Sequence, residues 1–526
     1  MAVKKIALSA TIVSMITMLS RVLGYVRDAI SAALFGVGVV SDAFFVAFRI
    51  PNLLRNLMAE GALASAFIPA FTEYIEKKPK KTVWNLAANA LTLLTIVMVF
   101  ITALGVIFAP IIVKIIAPGF SSDPEKFRLT VELTRYLFPF ILFMSISALF
   151  MGILNSLKQF SIPAFAPVIL NISMITAGIF ICPLFGLSPE KQVYGWVIGA
   201  LAGAFLQIVL QYIPAARSGF ILKPLIDLKD SGLRKMGRLM VPATFAQSVT
   251  QLNLLINTIL ASLLVQGSVT YLYYGNRLMQ LPLGVFGVAI ATVSFPYIAQ
   301  YAARKDTKNL RDTIHSSLKQ AFFIVIPASA GIIFLSEPIN TLLFYYGRFS
   351  HADAINTARV CVMYSLAIFA YTGVKILTQV YYAIDSASTA VKISIASLVV
   401  NLALCLILMK PMQYLGLALA TAIAGVFHFI LLYVFIEKKV GDIKTKQLVV
   451  FSAKLVIISL VMGAAVFFAS GYMTGIWNVK FNRITNAIIV LISISLGMMV
   501  YFGLVKLAGI REGDRFFELL RIKRRG

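Results

Sequence analysis

Apolar runs of roughly 20 residues follow one another along almost the whole chain, parted by short polar stretches, and that rhythm predicts membrane-spanning helices. The runs fall at 8–36, 42–76, 84–114, 129–154, 163–186, 193–215, 237–266, 269–302, 315–345, 354–384, 389–410, 412–436, 448–471 and 484–508, which makes about fourteen spans. Strands of a membrane barrel would alternate and be about half as long, so the fold class read here is an all-α polytopic membrane protein. MAVKK followed by an apolar run imitates a signal peptide, but no small-x-small cleavage site follows and the run continues through Arg21. The segment therefore reads as an uncleaved first helix.

Composition agrees with the pattern. The 526 residues are 60% hydrophobic and 13% charged, with a mean hydropathy of +0.89. A soluble protein of that composition would not stay in solution. The net charge of +26 is distributed unevenly. Lys77, Lys78, Lys80 and Lys81 crowd one loop; Arg217, Lys223, Lys229, Arg234, Lys235 and Arg238 another; Arg304, Lys305, Lys308 and Arg311 a third; Lys438, Lys439, Lys444 and Lys446 a fourth. All share a side if the spans alternate from a cytoplasmic N-terminus, while SSDPEKFR, LSPEKQ, VQGS and NVKFNR on the other side are poor in Lys and Arg. Both termini are then cytoplasmic. Basic loops beside anionic lipid account for the charge more simply than a nucleic-acid partner, so none is expected.

Catalytic chemistry finds no foothold. Cys182, Cys361 and Cys405 lie far apart in apolar segments, and His315, His351 and His428 have no ligand-spaced companions. Neither a nucleophile motif nor a phosphate-cradling glycine loop occurs, so the chain is read as no enzyme, without a cofactor.

The sequence repeats internally. AFIPAFTEYIEKK (66–78) aligns with VSFPYIAQYAARK (293–305), and nearly the same shift sets Arg49 on Arg277, Gly119 on Gly347 and Asn155-Ser156 on Asp385-Ser386. Each repeat holds an even number of spans, so both run the same way through the membrane, as in alternating-access transporters. The predicted organisation is a six-helix lobe at 1–220, a second at 221–440, two extra helices at 441–510 and a basic tail at 511–526.

Four arginines in the first two spans then need explaining. Each charge at the bilayer centre costs about 2.5–3.5 kcal/mol on insertion scales, so these side chains must face a wet cavity, a carboxylate or the headgroup layer. On a straight helix Asp42, Arg49 and Glu60 fall within about 20° of one another, with Asn56 beside them, before Pro51 bends the geometry. Asp28 and Asp42 could tie helices by pairing with Arg21 or Arg49. Arg27 fits that structural role and a cavity role equally, whereas Arg21, Arg55 and Arg277 exceed the nearby acid and favour a cavity that takes an anion. A guanidinium offers phosphate a planar fork of donors that stays charged.

SRVLGYVRDAI (20–30), SDAFFVAFRIPNLLRNLMAEGALASAFIPAF (41–71), APGF (117–120), FSIPAFAPVILNISM (160–174) and YYGNRLMQLPLGVFGVAI (273–290) resemble the MurJ (MviN) lipid II flippases of the multidrug/oligosaccharidyl-lipid/polysaccharide exporter superfamily. The resemblance spans nearly the whole chain. It implies alternating-access transport of undecaprenyl-pyrophosphate-linked disaccharide-pentapeptide, lipid II, from the inner to the outer leaflet of the bacterial cytoplasmic membrane. It also implies that Arg21, Arg27, Arg55 and Arg277 are substrate-binding arginines, three of them on the pyrophosphate. Asp42 and Glu60 match the acids of SDAFF and AEGA, and with Asp28 and Arg49 make up the expected gate or coupling group. The two extra helices would hold the prenyl tail in a lipid-facing groove, and the cell-wall synthesis machinery is an expected partner besides lipid II and membrane lipid.

Two departures qualify the likeness. Asn276 precedes Arg277 where some members carry an acid. Some members bind sodium with an acid one turn after an asparagine; here Asn401 is followed by Cys405, so Asn401 and Thr421 are weak sodium candidates. Lys375 and Asp385 are further cavity candidates, as is Asn56. The rival readings are a multidrug or organic-cation antiporter, which would want an acidic cavity, another polyprenyl-linked oligosaccharide flippase, and a non-transporting scaffold, which gives intramembrane arginines no purpose.

Overall fold

The computed structural model describes residues 2–56, 64–476, 483–510 and 512–513, and among them every regular element is a helix. Proline sets many of the starts. Pro79 precedes one helix, and Pro124, Pro139 and Pro189 open three others, positions where a missing N–H costs nothing.

The first compact unit takes in residues 1–270 and 346–349. It contains α1 (Ala2–Phe35), α2 (Val39–Arg55), α3 (Ala64–Lys77), α4 (Lys80–Ile107), α5 (Ala109–Ile116), α6 (Pro124–Leu137), α7 (Pro139–Ser156), α8 (Ser161–Thr176), α9 (Pro189–Arg217) and α10 (Ser231–Ser262). α1 packs on α8, α8 and α7 on α9, and α2 on α6. An aromatic core joins α3, α4, α7 and the segment after α9: Phe67 and Phe71 stack at 4.9 Å, and Trp84 and Phe150 both meet Phe220 edge-on.

The second unit, residues 271–345 and 350–526, contains the body of α11 (Ser268–Pro282), then α12 (Val288–Ala303), α13 (Thr307–Phe334), α14 (Ser336–Phe344), α15 (His351–Ser365), α16 (Ile368–Ala383), α17 (Ala387–Val440), α18 (Thr445–Ile476) and α19 (Arg483–Leu507). A π-helical turn, Leu283–Gly287, carries α11 into α12 past Pro282. α13 is the hub, packed by α12, α16 and α18. Leu318, Ala321 and Phe322 of α13 share one core with Ile376 and Val380 of α16 and Leu455 and Ile458 of α18. Inside a bilayer such contacts stabilise by close packing rather than by excluding water.

The repeat is visible in helix lengths. α4 to α7 run 28, 8, 14 and 18 residues, and α13 to α16 run 28, 9, 15 and 16. Lys158 after α7 and Asp385 after α16 both take a left-handed backbone, with φ of 62° and 51°.

Among the described residues nine helical stretches, α6 with α7 and α11 with α12 each counted as one, are long and apolar enough to cross a membrane, or ten when α15 and α16, bent by 44°, count as one span. Fourteen apolar runs give fewer such helices for identifiable reasons. The run 42–76 is described only as α2 and α3, of 17 and 14 residues, and α10 is diluted by Gln247, Gln251, Asn253 and Asn257. α17 is two helices read as one across Gln413, whose φ is 52° and ψ −135°.

Candidate functional site

On α1, Arg21 and Arg27 are six residues apart, hence about 120° apart around the helix, and they meet different surroundings. Arg27 donates from Nε and Nη2 to Asp28 Oδ1 at 3.0 and 2.6 Å, and from Nη1 to Asn171 Oδ1 at 3.1 Å. Asn171 in turn donates to the carbonyl oxygen of Ser20 at 3.0 Å. The neighbouring carboxylate is thus Arg27's own, and the arginine ties α1 to α8. Arg21 is half-buried and makes no hydrogen bond or ion pair with any described residue.

On α2, Arg49 and Arg55 are both half-buried. Arg55 donates from Nε to Asn52 Oδ1 at 3.1 Å and from Nη2 to Asn56 Oδ1 at 2.7 Å, so Asn56 orients the guanidinium. Glu60 lies outside the described residues.

Asp42, at the start of α2, is only 1% exposed and accepts four hydrogen bonds. Lys126 Nζ donates to Oδ2 at 2.8 Å and the Gly267 amide at 2.7 Å; the Thr270 amide and hydroxyl donate to Oδ1 at 3.0 and 2.7 Å. Asp42 therefore caps the first turn of α11 from another helix, satisfying amides that α11 leaves open and complementing its positive end. The expected pairing of Asp42 with Arg21 or Arg49 is replaced by a pairing with Lys126. That lysine sits in the stretch read as a charge-poor loop, but Asp123 accepts from the Lys126 amide and starts α6 there, which carries the side chain inward. Its ammonium also lies 4.0 Å from the Phe120 ring. The one sequence signal for it was Asp42 itself, since a carboxylate in an apolar run needs a counter-charge.

Two glycines of the repeat close the same end of the unit. The Gly119 amide donates to Ser262 Oγ at 3.3 Å, and a Cβ on Gly119 would collide with the Ser262 carbonyl. Gly347, at φ 57°, lies against Ala33, whose carbonyl accepts from the Arg348 amide at 2.9 Å. Arg348 also donates to the Leu187 carbonyl at 2.5 Å.

In the second unit Arg277 is half-buried on α11, next to Asn276, which accepts from Gln280 at 2.6 Å. Lys375 is exposed on α16. Asp385 is exposed in the turn that follows α16, outside any helix. The sodium candidates are occupied by protein. Cys405 Sγ donates to Asn401 Oδ1 at 3.3 Å, the Thr421 hydroxyl to the Leu417 carbonyl at 2.8 Å, and the Tyr371 hydroxyl to the Thr421 carbonyl at 3.0 Å. A thiol in place of a carboxylate leaves no anionic oxygen in this set. Among the described residues no group of three His, Cys, Asp or Glu could hold a metal ion.

Comparison with known proteins places the architecture first. The structure superposes on an inward-facing multidrug resistance MATE family transporter of the MOP superfamily with a TM-score of 0.67, covering 83% of this chain and 99% of that one at 16% identity, which defines the fold class. The match is fuller to a solved lipid II flippase MurJ in an inward closed conformation: TM-score 0.76, 26% identity, 94% of this chain and 98% of that one. The family model described as lipid II flippase MurJ matches residues 31–488. A probable lipid II flippase MurJ from Buchnera aphidicola subsp. Acyrthosiphon pisum is 32% identical over 507 residues, 96% of this chain and 98% of the relative. The chain belongs to the MurJ lipid II flippase family.

Proposed function

We propose that this protein moves lipid II, the polyprenyl-pyrophosphate-linked precursor of peptidoglycan, from the inner to the outer leaflet of the bacterial cytoplasmic membrane by alternating access. Within the family, the observation that carries the reading is Arg21: a half-buried guanidinium in a membrane helix, with no carboxylate partner among the described residues. A charge so placed is stabilised by an anion, and pyrophosphate matches its fork of donors. Arg55, held by Asn52 and Asn56, and Arg277 are the further pyrophosphate ligands. Arg27, committed to Asp28 and Asn171, acts chiefly by fixing α1.

With both termini cytoplasmic, the Asp42 hub stands at the outer end of the first unit. It is the outer gate: the capped turn before α11 must leave Asp42 for the outward path to open. Lys126 keeps the carboxylate neutralised when it does. The transport step is binding and release alone, with no bond made or broken in the lipid. Membrane potential supplies the drive, because lipid II is an anion and the sodium set is incomplete.

The test is complementation of a bacterium depleted of its lipid II flippase, together with flipping of fluorescent lipid II in vesicles. Wild type should support growth and flipping, while Arg21→Ala should abolish both and leave the melting temperature within a few degrees of wild type. Transport of organic cations with lipid II left in the inner leaflet would establish the antiporter reading instead.

A further inference from the structure

A cavity of about 690 Å³ lies wholly within the second unit, floored by α13 and walled by α17 and α18. Phe322, Ile326 and Ala330 form the floor; Ile430 and Val434 one wall; Val449, Val456 and Leu460 the other. No residue of α19 lines it. The α18 wall runs from Thr445 to Leu460, sixteen residues and about 22 Å of helix, which is shorter than a hydrocarbon core about 30 Å thick. The end marked by Tyr433 and Thr445 is polar, the two sharing a hydrogen bond of 2.8 Å, and Ser329, Ser452 and Ser459 add single hydroxyls along the otherwise apolar lining.

That polar end adjoins the basic loop. Residues 437–446 hold four lysines against two acids. Lys444 is paired with Asp312 at 2.7 Å, and Lys439 donates to Ser386 at 2.7 Å. Glu437 is taken up by Thr445 and the Ile443 amide. Asp442 caps α18 through the Thr445 amide, which holds its carboxyl below the usual carboxylate range. Lys438, one turn beyond Val434, and Lys446, next to Thr445, are exposed and form no ion pair among the described residues. Lys438, whose ammonium lies 5.1 Å from the Phe435 ring, and Lys446 therefore flank the polar mouth of the apolar groove without a carboxylate partner among the described residues.

We infer that this groove is a binding site for a resident anionic phospholipid of the cytoplasmic leaflet, with one acyl chain along α18 and the phosphate between Lys438 and Lys446. The inference rests on the basic loops being cytoplasmic, as in the proposed function. The occupant is a diacyl lipid and not the transported molecule: the groove ends within the hydrocarbon core, as an acyl chain does, whereas a polyprenyl chain is far longer. Its bound chain would fill the space between α17 and α18 and brace α18 against α13.

The test counts phospholipid retained per chain by native mass spectrometry after extraction from vesicles of phosphatidylglycerol or of phosphatidylcholine. Wild type should retain one phosphatidylglycerol and prefer it at least tenfold. Val456→Trp fills the groove from an exposed position (44% accessible) and should reduce retention of both lipids at least tenfold. Lys438→Ser with Lys446→Ser should erase the preference while phosphatidylcholine still binds. Equal retention by wild type and Val456→Trp, each with an unchanged melting temperature, would overturn the inference. So would displacement of the retained lipid by lipid II at equal stoichiometry, because the groove would then be a substrate site. Growth complementation is scored separately: a wild-type chain that flips lipid II but retains no phosphatidylglycerol defeats this inference alone, and one that retains phosphatidylglycerol but does not complement defeats only the proposed function.

Discussion

Asp42 and Lys126 form a buried ion pair whose two halves are unequally supported. Asp42 accepts from three further donors on Gly267 and Thr270, whereas Lys126, 6% exposed, has no carboxylate partner but Asp42 among the described residues. Breaking a buried pair from one side costs about 3–5 kcal/mol because a charge is stranded. Asp42→Asn should therefore cost more than Lys126→Met, since the latter leaves the carboxylate with its amide and hydroxyl donors and the former leaves an ammonium with none of comparable strength. Thermal melts of the purified variants in detergent check the order, and equal losses would mean that the amide cap, and not the charge pair, holds this end together. Asp42 was legible as a gate candidate from the sequence, but its partner was not. Linear reading assigns a lysine in a short polar stretch to solvent, and only the Asp123 cap that begins α6 turns Lys126 inward. Arg27 shows the converse: the acid beside it in sequence is its partner in space, and the long-range contact with Asn171 decides its structural role.

At the scale of elements, the apolar rhythm marks the spans but not their breaks. The run 129–154 is α6 and α7 meeting at Pro139, and 315–345 is α13 and α14 meeting at Leu335. Gly347 shows what such junctions demand. A left-handed backbone costs an ordinary residue about 1–2 kcal/mol, and at Gly347 a Cβ would also strike the Ala33 carbonyl, which the Arg348 amide holds in place. Gly509, at a similar φ of 63°, has nothing within 4 Å of an added Cβ. Gly347→Ala should thus lower the melting temperature clearly more than Gly509→Ala, and the difference reports chiefly the close approach. The α3–α10 clasp predicts a pH response. Lys235 and Lys77 hold the Glu73 carboxyl down to about 2, with Lys235 at 2.5 Å and Lys77 at 3.1 Å. A depressed carboxyl contributes its stability above its ordinary pKa and loses it as pH falls through the depressed value. The difference in melting temperature between wild type and Glu73→Gln should be constant above pH 5 and shrink between pH 4.5 and 2; a difference unchanged to pH 2 would show that the clasp is not ionic.

For the whole molecule, the repeat was legible because its anchors are glycine, proline and arginine, residues whose roles tolerate little replacement, and the matching helix lengths of α4–α7 and α13–α16 carry it into three dimensions. What the repeat did not convey is how far the last two helices enter the second unit. Leu448, Phe451, Leu455, Ile458 and Met462 of α18 are buried in the core around α13. Tyr501 of α19 donates to the Phe323 carbonyl at 2.6 Å, and Lys319 of α13 pairs with Glu512 at 2.7 Å while lying 4.6 Å from the Phe451 ring. Helices added only to carry a prenyl tail could be removed with the rest left folded. Here, deletion from Gln447 onward strips one whole side of α13 and strands the Lys319 ammonium, so the truncated chain should reach the membrane in low yield and melt well below full length. Deletion from Arg483 onward leaves α18 on α13 and should be milder, costing the Tyr501 and Glu512 contacts but sparing the α18 core. Yield and melting temperature of the two truncations in parallel decide the matter. If the chain ending at Lys446 melts like the full protein but no longer flips lipid II, α18 and α19 serve the tail alone; if it fails to fold, they are part of the machine's second half.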